Sequence, residues 1–281
     1  MILVFGKTGQ VASELQKRSP EAIFLGRDQA DLTNPAGCAM QILEIRPEIV
    51  INAAAYTTVD LAETEELLAT TINGDAPTSM AKAAAELGIP MLHISTDYVF
   101  DGKGEMPFSP DDTTNPLGAY GRSKLAGELG VRGACGRHVI LRTSWVFSAH
   151  GSNFVKSMLR LGGEREKLTI VADQIGGPTP AAAIADALLT VARAMIDGHS
   201  GGTYHFAGEP DASWANFARA IFRQANLAAH VIDIPTTDYP TPARRPLNSR
   251  LDCESLVRDF AIARPDWRAG LSDVLKELRA A

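Results

Sequence analysis

The chain has 281 residues, room for one large domain or two ordinary ones, and 45% of them are hydrophobic against 21% charged. That globular balance excludes a disordered chain and a disulfide-stapled miniature. Net charge is −6, from 33 acidic and 27 basic residues, which argues against a nucleic-acid partner.

Short apolar runs alternate with helix-period segments along the first two thirds. Strands are expected at 2–5, 22–25, 49–53, 91–95, 138–143 and 203–206. Helices are expected at 11–18, 36–45, 61–68, 76–87, 123–129, 153–161 and 181–195. Strands that alternate with helices and are too apolar for period 2 predict an α/β protein, with a Rossmann-type doubly wound parallel sheet covered on both faces. Residues 165–180 and 209–281 change character, with Pro235, Pro240, Pro242, Pro246 and Pro265 interrupting the later one. The expected organisation is a nucleotide-binding core at 1–164 and 181–208, with a smaller, discontinuous substrate-binding lobe at 165–180 and 209–281. Cys38, Cys135 and Cys253 lie far apart, so neither a disulfide framework nor a cysteine-rich zinc site is expected. No run reaches the ~20 apolar residues of a membrane span, and the N-terminus lacks a signal-peptide pattern. A cytoplasmic location with no membrane partner is expected.

Gly6-Lys7-Thr8-Gly9-Gln10-Val11-Ala12 joins the first strand to a helix. Gly6 and Gly9 suit a tight turn through which a pyrophosphate approaches backbone N–H groups at a helix N-terminus. The second strand ends at Leu25-Gly26-Arg27-Asp28. Gly26 leaves room and Arg27 offers a cation where an NAD-preferring fold carries an acid, so NADPH is expected, with NADH the alternative donor. Asp31, beside Leu32, either accepts from an adenine amino group or caps the helix near Pro35. Small residues at Ala53, Ala54 and Ala55 permit close backbone approach at a strand end.

Tyr120 and Lys124 share one helix face, and Thr96 and Asp97 close the strand before them. This trio suits ketone reduction. Free tyrosine titrates near ~10, and a nearby ammonium favours its phenolate. Tyr120 is then the expected proton donor, Lys124 the group that lowers its pKa, and Thr96 a hydrogen-bond donor to the substrate oxygen.

These residues, with GKTGQVA at 6–12, NAAAYTTVDLAE at 52–63, STDYVFDG at 95–102, YGRSKLAGE at 120–128, LRTSWVF at 141–147, DQIGGPTP at 173–180 and YPTPARRPLNSRLD at 239–252, resemble the extended short-chain dehydrogenase/reductase family. Within it they are similar to the branch that reduces dTDP-linked 4-ketosugars. The resemblance spans nearly the whole chain. It implies NAD(P)H-dependent reduction of the C4 ketone of dTDP-4-dehydro-β-L-rhamnose to dTDP-β-L-rhamnose, a polysaccharide precursor. It also implies catalytic roles for Thr96, Tyr120 and Lys124, and cofactor positions at Gly9, Gln10, Val11, Asp31, Leu32, Ala53, Ala54 and Ala55. Tyr56, Asp97 and Trp145 fall where the family lines the sugar site. Arg244, Arg245 and Ser249 lie in the late lobe, where arginines suit a nucleotide diphosphate. Reduction of another nucleotide-linked 4-ketosugar is the alternative. The fold also resembles a non-catalytic nucleotide-binding subunit, the β-subunit of methionine adenosyltransferase, but the intact trio favours catalysis.

Some members of the family bind Mg²⁺ at a dimer contact through three glutamates. Glu14 and Glu277 match two of them, and the third falls within Ala181-Ala182-Ala183, where no carboxylate exists. A hard cation that loses one of three oxygen ligands is held weakly. No magnesium site is therefore expected, and the chain is expected as a monomer or weak homodimer. The six histidines show no metal-ligand spacing and read as structural or surface residues.

Overall fold

A computed structural model describes residues 1–280. Its centre is a six-stranded sheet in which every pairing is parallel. Strands β1 (Ile2–Phe5), β2 (Ile23–Leu25), β3 (Ile49–Asn52), β4 (Met91–Thr96) and β5 (His138–Thr143) are joined by Gly201–His205, in the order Gly201–His205, β5, β4, β3, β1, β2. The chain leaves β1 outward to β2 and then crosses back to β3. That reversal opens a crevice at the carboxyl ends of β1 and β3, where open α/β sheets bind ligands.

Both sheet faces are covered, which is why β3 reads as four consecutive buried residues. On one face, Val11 and Leu15 of α1 (Gln10–Arg18) pack with Ile184, Leu188 and Met195 of the helix Ala181–Ile196. On the other, α2 (Pro35–Ile45) contributes Cys38 and Ile42. The chain continues through α3 (Glu66–Thr70) to α4 (Ala76–Leu87), which adds Met80 and Ala84, and α5 (Ala119–Ala134) adds Val131.

A separate apolar cluster lies outside those that flank the sheet. Phe217, Ile221 and Phe222 of the helix Trp214–Ala225 meet Trp267 and Leu271 of the helix Trp267–Ala280. Val155 and Met158 join the same cluster, so the helix Phe154–Glu164 packs with these late helices. Conversely, Leu256 from the late segment packs into the core beneath the sheet. Residues 165–180 read as irregular, yet Lys167–Val171 is a strand paired in parallel with His230–Ile234, a partner too distant in sequence for local pattern to show. The expected helix at 61–68 is shorter and broken, a 3-10 turn at Leu61–Glu63 followed by α3. No helix among the described residues is long and apolar enough to cross a membrane.

Gly6 leaves β1 with φ +113°, and a Cβ there would stand 3.3 Å from the backbone of Ala53. Strain and crowding coincide at this position. Gly6→Ala is expected to destabilise the fold by about 1–3 kcal/mol, read as a lowered midpoint in denaturant titration. An unchanged midpoint would contradict the close-approach reading.

Candidate active site

The glycine turn lies at the first crossover, between β1 and α1. Gly9 is the N-cap of α1, makes no side-chain cap hydrogen bond, and has open space where a Cβ would stand. No side chain caps the first-turn N–H groups of α1, as an anion site requires. Gly9 itself has φ −73°, so its contribution is room, while Gly6 carries the unusual backbone. Across the crevice, Ala53 and Ala54 are half-buried and Ala55 is exposed. Val11 and Leu32 are buried apolar residues. Gln10 turns away from the turn: its Oε1 accepts from Ser148 Oγ (2.9 Å) and Asn153 Nδ2 (3.0 Å).

At the end of β2, Arg27 is exposed and its Nε donates to Asp31 Oδ2 at 3.3 Å. Asp31 also accepts from the backbone N–H of Thr33 (2.9 Å). Asn34, not Asp31, caps α2, accepting from Gly37 N–H at 3.1 Å. Lys7, which the sequence reading passed over, lies beside Gly26. This rim therefore carries Lys7 and Arg27 together with Asp28 and Asp31.

Thr96 ends β4 and caps the short turn Asp97–Val99, its Oγ1 accepting from Tyr98 N–H at 3.2 Å and donating to Asp97 Oδ1 at 3.1 Å. Tyr120 and Lys124 stand in the first two turns of α5, which starts at Ala119 because Gly118 is its N-cap and Glu63 Oε1 accepts from Ala119 N–H. Tyr56 and Tyr120 pack around Ala62, Ala69 and Ala119, and the Tyr98 ring meets Tyr120 edge-on at 5.5 Å. Ser123 Oγ accepts from Asn73 Nδ2 (3.0 Å), and Asn73 Oδ1 accepts from Tyr56 N–H (2.8 Å), which ties α5 to the loop after β3.

The electrostatics correct one expectation. Burial, then the charge of Asp97, pushes the Tyr120 phenol up to about 12, with Thr96's hydrogen bond acting the other way. Lys124 does not act as its principal partner: Nζ donates to Ile94 O at 2.8 Å and lies 3.3 Å from His93 Nε2. Burial brings the Lys124 ammonium down to about 8, opposed by Glu128. Burial raises Asp97 to about 6, against the Ser249 and Thr96 hydroxyls.

Ser249 is thus brought to Asp97 from 152 residues away in sequence. Arg245 Nη2 donates to Asp60 Oδ2 at 2.8 Å, while its buried Nη1 and Asp97 Oδ2 have no hydrogen-bond partner. Buried polar atoms left without partners mark a place for a polar ligand. Arg244 is exposed. Trp145 sits at φ +49° and stacks on Trp214 at 3.6 Å. Trp214 was missed because the pairing joins residues 69 apart.

Beneath the trio, Glu128 accepts from Arg142 Nε (2.9 Å) and Nη2 (2.7 Å) and from Ser95 Oγ (2.6 Å), all buried. This pair clamps α5 to β4 and β5.

A parallel sheet with a glycine turn at its first crossover, Thr96 at the end of β4 and Tyr120 with Lys124 on α5 defines a nucleotide-binding α/β oxidoreductase of the extended short-chain dehydrogenase/reductase class. More particularly, the chain belongs to the family described as the RmlD substrate binding domain, whose family model matches residues 1–280. It is 44% identical to a dTDP-4-dehydrorhamnose reductase of Escherichia coli strain K12, over 99% of this chain and 97% of that protein. The crystal structure of a dTDP-4-dehydrorhamnose reductase from Clostridium acetobutylicum superposes with a TM-score of 0.94 at 35% identity, covering 99% of each chain. That of a dTDP-4-dehydrorhamnose reductase from Bacillus anthracis in complex with NADP gives 0.91 at 36%, covering 98% of each.

Because Asp97 is raised, it favours the fold most below pH 4 and that contribution is lost as pH climbs through 6. Asp97→Asn should therefore raise the melting temperature at pH 7 by a few degrees, with the gain vanishing near pH 4. A gain equal at both pH values would exclude ionisation of Asp97 as its source.

Proposed function

We propose that this protein reduces the C4 ketone of dTDP-4-dehydro-β-L-rhamnose to dTDP-β-L-rhamnose with NADPH. The observation that carries the reading is Tyr120 and Lys124 one turn apart on α5, with the Thr96 hydroxyl at the end of β4 hydrogen-bonded to Tyr120, and Arg245 Nη1 and Asp97 Oδ2 buried without partners. Whole-length similarity to named dTDP-4-dehydrorhamnose reductases supports it, and a similar structure binds NADP. Gly6, Gly9 and the α1 N-terminus, with Ala53–Ala55 opposite, would hold the dinucleotide, and Arg27 and Lys7 would favour a 2′-phosphate. Bound there, a reduced nicotinamide supplies hydride.

The chain's own residues supply the rest. Tyr120, held protonated by burial, is the proton donor to the ketone oxygen. The Thr96 hydroxyl orients that oxygen. Lys124 provides the cation that stabilises phenolate once the phenol has given up its proton. Tyr56 and Asp97 face the sugar. Arg245, held by Asp60, meets the diphosphate. Trp145 closes the same end of the site with Trp214. Three cysteines, all free and buried, agree with a reducing, cytoplasmic compartment.

The test is NADPH oxidation with dTDP-4-dehydrorhamnose, beside NADH at equal concentration. Tyr120→Phe should lower turnover about 10²–10⁴-fold while NADPH affinity stays nearly unchanged. Cofactor binding by the wild type without oxidation on any 4-ketosugar nucleotide would instead support a binding subunit. A strong NADH preference would overturn the reading of Gly26 and Arg27.

We also propose that the protein works without magnesium. Folding gathers Glu14, His150 and Glu277, with ligand atoms within 4.8 Å of one another, so one histidine does meet carboxylates that no sequence spacing revealed. The set is nonetheless poor for a hard cation, with one imidazole and only two carboxylates. Protein cations already engage both: Lys17 Nζ lies 2.5 Å from Glu277 and 3.2 Å from Glu14, and Arg18 Nη1 lies 2.5 Å from Glu14. Burial raises Glu14, but hydrogen bonds from Arg18 and Lys17 outweigh it and hold the carboxyl below its usual range. Chelator is expected to leave melting temperature and oligomeric state unchanged. A magnesium-dependent rise in either, by differential scanning fluorimetry or sedimentation, would sink this reading.

A further inference from the structure

Directly behind Lys124 lies a buried polar chain that the reaction as described does not use. His93 on β4 and Asn52 at the end of β3 are both fully buried and face each other in register. Asn52 Oδ1 accepts from Ala54 N–H at 3.2 Å, which fixes the amide's orientation and leaves Nδ2 to donate to His93 Nδ1 at 3.1 Å. A neutral imidazole that accepts at Nδ1 carries its proton on Nε2. That Nε2 is the atom 3.3 Å from Lys124 Nζ. Gly127, one turn along α5, lets the helix approach Asn73, whose carbonyl oxygen a Cβ there would strike, while His93 Nε2 would stand at an ordinary 3.4 Å contact.

We propose that His93 is a positioning residue for Lys124: oriented by Asn52, it presents an N–H to the lysine and favours the free amine over the ammonium. When Lys124 is charged, two donors oppose each other across this contact. When it is neutral, Nε2–H donates to the amine lone pair. Other neighbours act the opposite way. Ile94 O accepts from Nζ at 2.8 Å, and on α5 the Glu128 carboxylate favours the cation, though it is shared with Arg142 of β5 and with Arg132. Tyr120 on α5, Asp97 after β4 and Tyr98, whose ring meets Tyr120, are further titratable groups at this end of the site. Burial and the Lys124 charge both keep His93 neutral, well below its ordinary range, so the ring acts through its tautomer and not through a charge of its own. Its effect is to set the pH at which the site loses its cation.

The inference rests on Lys124 acting in turnover, and the two can fail separately. In the wild-type protein with ¹⁵N-labelled histidine, NMR at pH 7 should show His93 Nε2 protonated and Nδ1 bare. The reverse tautomer overturns the proposal whether or not any variant folds. His93→Gln turns an amide that offers a carbonyl acceptor toward Nζ. It should move the alkaline limb of the kcat profile up by about one pH unit and leave the acid limb in place. A uniform loss of kcat with the limb unmoved would mean that His93 only fills space, and would overturn the proposal. Lys124→Ala with wild-type turnover would sink the catalytic reading of Lys124 itself and leave the tautomer result standing.

Discussion

All six strands of the central sheet run the same way, so all their carboxyl ends open on one edge. Parallel strands need long crossovers, and those crossovers cover both faces. The sheet therefore cannot expose a face to ligand, and only its edge is free. Reversal of strand order between β1 and β3 parts the connecting loops there. At that point Gly6 and Ala53 meet backbone to backbone. The cradle, the small residues opposite it and the Thr96 strand end all follow from three adjacent strands ending side by side.

Behind this edge the protein buries charge in compensated sets. Glu128 and Arg142 form a bidentate pair with Ser95. Removing one partner of such a pair typically costs about 3–5 kcal/mol, because the other is left charged and dry. The pair fixes α5 against β4 and β5, which in turn fixes Tyr120 and Lys124 relative to Thr96. Lys124 and Asp97 are less completely compensated, and both are displaced toward their neutral forms. Groups poised this way, beside buried atoms that still lack partners, are what a proton-transferring site requires.

The apolar cluster around Trp267 is not built from the late segments alone. Phe147, Val155 and Met158, from the middle of the chain, build its apolar centre with Phe217 and Trp267, while Leu256 returns to the first core. This interleaving places Ser249 and Arg245 over Asp97 and Asp60. It also brings His150 and Glu277 to Glu14 in the middle of α1, where Lys17 supplies the positive charge between the carboxylates.

Local pattern alone determined much of this protein. Apolar runs and their breakers marked the main-sheet strands, because a strand buried on both faces leaves a continuous hydrophobic signature. The glycine turn was legible because Gly6 answers a backbone need, and Tyr120 with Lys124 because helical periodicity puts residues four apart on one face. Which partners those residues meet was decided only by tertiary structure. Lys124 faces His93 because β4 packs under α5, Asp97 meets Ser249 because the late lobe folds back, and the strand Lys167–Val171 gains a partner 63 residues on. Periodicity reports which side of an element is buried; it carries no record of what lies across the gap, and burial charges and tautomers are set there.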